Sequence, residues 1–163
     1  MTHPIASSSS ERQSLLPAIL VGGGVAGTLD IIFAIKTWGW GVPRGVASGL
    51  LGPRALHGGS GVWLLGLCLH FFVAYSVATI YCLSSLRLKF LKHHFIVCGL
   101  YYGVAVYIVM NLIVRPILFH GGGPYPLRSL IQGLLSHMLL IGMPIAISLW
   151  KFSNRTHPIP QQG

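Results

Sequence analysis

Four long apolar stretches set the pattern of this chain: Leu15–Thr37, Val62–Leu83, Phe95–Phe119 and Leu127–Trp150. Each reaches the roughly 20 residues that a helix needs to cross a hydrocarbon core. Strands of a membrane β-barrel would be about half as long and would alternate apolar with polar positions. These stretches do not alternate, so the pattern predicts helices. The expected fold is all-α: a polytopic membrane protein with four transmembrane helices in one bundle. A cleaved secretory signal fits the first stretch poorly. Its apolar run continues through Ile31–Ile35, past the only plausible cleavage region at Val25–Gly27.

The stretches between are uneven. Residues 1–14, with Ser7 to Ser10 in a row, read as a flexible N-terminal tail, residues 15–150 as the transmembrane domain, and residues 151–163 as a flexible C-terminal tail. The tetrapeptide Thr-His-Pro-Ile, at Thr2 and again at Thr156, falls in both tails and reads as coincidence. The first connection, Gly39 to Gly61, is rich in glycine yet holds Val42, Val46 and Leu50 at every fourth position behind Pro43. Proline suits a first helical turn, so a short interfacial helix is expected here, stopping near Gly52-Pro53. A re-entrant loop is the alternative, and it needs surrounding protein to satisfy its backbone. The second connection, Arg87 to His94, is tight and basic; the third, His120 to Pro124, reads as a polar turn.

Composition agrees with the pattern. Of 163 residues, 53% are hydrophobic and only 8% charged, against about 25% charged in a typical soluble domain. Thirteen charges cannot cover the surface of a soluble protein this size, which excludes a cytosolic enzyme and a disordered chain. Eleven Lys/Arg face two acids, Glu11 and Asp30, for a formal charge of +9. The bases lie at the ends of apolar runs, where the lipid bilayer and its anionic headgroups are the expected partner rather than nucleic acid. Arg12, Arg87, Lys89, Lys92, Lys151 and Arg155 share one side; Lys36, Arg44, Arg54, Arg115 and Arg128 share the other. The dense Arg87–Lys92 cluster predicts a multi-pass protein of the cell inner membrane with both termini cytoplasmic. Trp38, Trp40, Trp63 and Trp150 fall at the expected interfaces.

Cys68, Cys82 and Cys98 lie inside the spans with no Cys-x-x-Cys pair, and read as small packing residues. Glycines say more. Gly23 and Gly27 make one small-xxx-small pair and Gly99 and Gly103 another, the spacing that lets helices approach closely in lipid. Such faces suit packing within the chain, a homo-oligomer or a membrane-complex partner. Gly66, His70, Ala74 and Ala78 form a similar band in the second span, Gly99, Gly103, Tyr107, Asn111 and Arg115 form one in the third, and Gly133 precedes His137 in the fourth.

The polar residues of the spans follow these bands. Counting at 1.5 Å per residue, Asp30, His70, Asn111 and His137 each lie roughly 10 to 13 Å below the same end of their helices. Arg115 follows one turn after Asn111. Asp30 is the only acid in any span, and an unpaired carboxylate there is expensive, so Asn111 or Arg115 is its expected partner. The group of Asp30, His70, Asn111, Arg115 and His137 has two main readings, a structural clasp or a proton path through a carboxylate and two imidazoles that titrate near neutral pH. Haem b held by His70 and His137, or a metal on Asp30, His70 and His137, are further readings without supporting ligand spacing. No nucleophile elbow and no phosphate-binding glycine loop ending in Lys-Ser or Lys-Thr is present, so no catalytic residue is assigned and enzymatic activity is not expected.

The pieces Ala26–Asp30, Ala47–Gly52, Leu67–Phe72, Cys98–Gly103, Val109–Asn111 and His137–Pro144 resemble a group of small bacterial inner-membrane proteins, and more distantly the YagU-like membrane proteins linked with acid resistance. The resemblance covers most of Gly22 to Leu149. It implies a four-helix membrane fold and brings no catalytic or ligand-binding residue with it. The function expected is that of a small non-enzymatic membrane protein in envelope or stress physiology, transport-related or a complex subunit; a haem-binding electron carrier is the alternative.

Overall fold

The structure is a computed structural model that describes residues 5–118 and 126–155, with side chains from 15 to 116 and from 126 to 154. The expected turn at His120–Pro124 and the outermost tail residues lie outside the described residues. Helix α1 runs Ile5–Trp38, α2 Val42–Leu51 and α3 Ser60–Arg87, followed by the single turn α4, Phe90–His93. The third span is α5, Phe95–Ile108, a π-helical turn at Val109–Val114, and α6, Arg115–Leu118. The fourth is α7, Leu127–Ser136, a π-helical turn at His137–Gly142, and α8, Met143–Arg155. Four helices are long and apolar enough to cross a membrane, and no strand occurs among the described residues.

Residue 15 is not a helix boundary. The polar segment read as a tail is helical from Ile5, because a helix already nucleated in an apolar run extends at little cost through Glu11, Arg12 and Gln13, all good helix formers. The C-terminal helix likewise continues to Arg155.

Helix α2 stops where expected. Gly52 adopts φ +79°, a left-handed conformation that side chains rarely take, and a short 3-10 turn at Pro53–His57 leads into α3. Its buried face is Pro43, Ala47 and Ser48, laid against the start of α3 so closely that a Cβ on Gly66 would collide with the Pro43 carbonyl. Trp40 stacks on Trp63 at 4.9 Å, and the Trp63 indole donates to the Trp40 carbonyl at 2.9 Å. With Trp38 these rings mark one end of the bundle, here called the tryptophan face. At the other end, the basic-turn face, Trp150 stacks on Phe95 at 4.8 Å.

The packing is that of a protein in lipid: small residues inside, large apolar ones outside. Ala18, Ala26, Ala78 and Ala146 are fully buried, while Leu16, Leu20, Leu64, Phe72, Ile80, Leu112 and Leu139 are exposed. Helix α1 packs against α3 and α8, and α5 packs against the fourth span, whereas α3 and α5 scarcely touch. Cβ atoms added at Gly99, Gly103 or Gly142 would press into backbone of the facing span. The glycine bands are thus used within the chain. In the half toward the basic turn, Leu15, Ala26, Ala78, Tyr81, Cys82, Ile145 and Leu149 close into a solid apolar core. The half toward the tryptophan face is not solid.

Candidate functional site: a polar cavity in one half of the bundle

Asp30 lies three residues after Gly27 on α1, and Gly27 faces α3: an added Cβ there would stand 3.0 Å from both Ala74 and Phe71. That close approach brings the His70 ring to the backbone of α1. His70 Nε2 donates to the Gly27 carbonyl at 2.9 Å. A carbonyl only accepts, so Nε2 carries the hydrogen and Nδ1 is left uncommitted.

His137 reaches the same region from the fourth span. Its Nδ1 donates to the Gly133 carbonyl one turn earlier, at 2.8 Å. Ser136 Oγ also donates to that carbonyl, at 2.9 Å, and lies 3.4 Å from the ring nitrogen. In the neutral ring Nε2 then keeps its lone pair. The Tyr107 ring meets the imidazole edge-on at 5.4 Å. His137 also opens a π-helical turn, a feature frequent at functional sites, and Gly103 packs directly on its carbonyl.

Asp30, His70 and His137 line one cavity of about 50 Å³, closed by Val73, Val77, Val106, Met110 and Ile141. That is room for one to about three water molecules, and three polar side chains on the wall are what such waters need. The Asp30 carboxylate, half-buried, makes no hydrogen bond or ion pair among the described residues. A second cavity of about 210 Å³, lined by Trp38, Tyr107, Asn111, Ser129, Gly133 and His137, lies on the tryptophan side. His137 belongs to both walls. Trp38 ends α1 and Ser129 lies in the first turn of α7, so the second cavity reaches the level of the helix ends.

The structure therefore brings Asp30, His70 and His137 to one wall, and places Asn111 with His137 on the other. The third span offers Val106 and Met110 to the Asp30 cavity. Asn111 donates from Nδ2 to the Tyr107 carbonyl of its own helix at 3.0 Å and faces the second cavity. Arg115, at the start of α6, is on neither wall. Tyr107, a member of the small-residue band of the third span, and Ser129 join the site; only Ser129 had no sequence pattern to single it out. Among the described residues no three His, Cys, Asp or Glu side chains converge to hold a metal ion. Each imidazole keeps one unprotonated nitrogen of the kind a haem iron takes, across a space the size of a few waters. The three cysteines are free, with Cys82 buried in the core and Cys68 exposed. Comparison with family models, with curated proteins and with solved structures finds no match to this chain.

Proposed function

We propose that this is a non-enzymatic protein of a bacterial inner membrane that binds and releases protons at one intramembrane site, reached from the tryptophan face. It acts in envelope or stress physiology as a transport-related component or a subunit of a larger complex, with both termini in the cytoplasm. The observation that carries the reading is the pair of cavities sharing His137, the inner one holding the only acid of the spans.

A carboxylate and two imidazoles, each imidazole with one open nitrogen, make a short relay through one or two waters. The solid apolar core toward the basic turn blocks the other half, so the arrangement supports one-sided loading rather than a pore. An intramembrane ionisable residue without a charged partner is held at a cost that proton binding removes. That favours a functional role over a clasp, because a clasp would give Asp30 a partner.

Infrared difference spectroscopy on the purified chain tests the reading. Acidification is expected to raise a protonated-carboxyl band in the native chain that is missing from the Asp30→Asn spectrum, above the shared response of Glu11 and the C-terminus, while the amide bands of the folded helices stay unchanged. Native and Asp30→Asn spectra with the same carboxyl response contradict it.

A further inference from the structure

A third concavity lies in the opposite half of the molecule. Between α3 and α5, under the turn α4, a groove of about 660 Å³ runs along Tyr81, Leu88, Phe90, Val97, Tyr101 and Tyr102. It exists because α4 separates the end of α3 from the start of α5, and the two helices meet chiefly through Tyr102, whose hydroxyl donates to the Val77 carbonyl at 2.7 Å. Its mouth opens sideways, toward lipid: Val97 is 54% and Tyr101 73% exposed.

Charge singles this groove out from an ordinary lipid-facing crevice. His94 forms part of its wall and is exposed, as are Arg87, Lys89 and His93 in the same turn, and the segment from Arg87 to His94 contains no acid. Tyr81 also forms part of the wall, but its hydroxyl is buried away from the open space, without a hydrogen-bond partner among the described residues, while that of Tyr102, 4.7 Å away ring to ring, is satisfied.

We infer that the groove is a binding site for one anionic phospholipid. One acyl chain lies along Val97, Tyr101 and Leu88. The phosphate lies against Arg87, Lys89 and His94. Basic clusters at helix ends attract anionic headgroups, and a groove of this volume and apolar lining is of the size that takes a small amphiphile.

Native mass spectrometry of the full chain in a non-ionic detergent, titrated with phosphatidylglycerol and with phosphatidylcholine, tests this. One phosphatidylglycerol should be retained at a concentration at least tenfold below that needed for phosphatidylcholine. Val97→Trp, which fills the exposed mouth without touching the core, should abolish retention. Leu112→Trp, lipid-facing on the same span but outside the groove, should change nothing, and Lys89→Gln with His94→Gln should erase the preference between the two lipids. Equal retention of the two lipids by the native chain overturns the inference. So does unchanged retention in Val97→Trp, a lipid preference that survives Lys89→Gln with His94→Gln, or a dimer in place of the lipid adduct that Val97→Trp disrupts.

Discussion

His70 on α3 donates a hydrogen bond from Nε2 to the backbone carbonyl of Gly27 on α1, at 2.9 Å, one turn before the only acid in the membrane spans. The bond ties two neighbouring helices together at the level of the polar cavity and leaves Nδ1 of the ring free for it. His70 thus has a structural nitrogen and a chemical one.

The structural nitrogen gives the first prediction. Hydrogen bonds between helices in lipid contribute about 0.6 to 1.7 kcal/mol, so His70→Ala should destabilise the bundle by about that much. His70→Gln, whose amide can still donate to the carbonyl, should lose less. Unfolding in mixed detergent and dodecyl sulfate measures both, and an Ala variant as stable as the native chain removes the tie.

Backbone contact between the third and fourth spans gives the second. A Cβ at Gly103 would stand 2.5 Å from the His137 carbonyl oxygen and from Met138 Cα, both backbone atoms that cannot rotate aside. Overpacking of this kind costs about 1–3 kcal/mol, so Gly103→Ala should lower stability by that range and displace His137. Gly61, whose added Cβ meets nothing within 4 Å, should accept alanine within about 0.5 kcal/mol. Equal tolerance at the two positions would contradict the packing.

These contacts show which part of the fold was legible beforehand. The bands Gly23–Gly27, Gly66–Ala78 and Gly99–Gly103 do face neighbouring helices, because small residues at four-residue spacing mark a close-packed seam whatever lies opposite. The expected partnership of Asn111 with Asp30 is missing for a physical reason. Asn111 stays on the band of Gly103 and Tyr107, but that band slants around the helix: Tyr107 and Asn111 face the second cavity, while Val106 and Met110, each one position earlier, face Asp30. Tyr81 and Tyr102 escaped notice because tyrosines in apolar runs read as bulk, and their hydroxyls matter only once burial is known.

The third prediction concerns Ser148, whose hydroxyl donates to the Ala18 carbonyl at 3.0 Å and links α8 to α1 within the solid core. Ser148→Ala should cost about 0.6 to 1.7 kcal/mol, by the same scale as His70→Ala. The two sites lie in opposite halves of the bundle, so the double variant should show the sum within about 0.5 kcal/mol. A large departure from additivity in the unfolding experiment would mean that the halves do not pack independently.

Haem b on His70 and His137 supplies a separate check. Binding would require the His70 and His137 rings to part around a macrocycle, from a cavity of about 50 Å³. Protein purified from haem-replete cells is expected to be colourless. A Soret band that disappears in both His70→Ala and His137→Ala would replace the proton reading with electron transfer.

The central claim is that Asp30 takes up protons from the tryptophan face alone. Carbodiimide labelling tests it most directly, because the reagent modifies a carboxyl group buried in apolar surroundings only in its protonated form. In membrane vesicles of each orientation, the bath is acidified while the lumen is held neutral, and Asp30 modification is followed by mass spectrometry. The account predicts faster labelling when the tryptophan face meets the acidic bath, no response when the basic-turn face does, and no label in Asp30→Asn. Labelling that is absent, insensitive to pH, or equally fast from either face would contradict it.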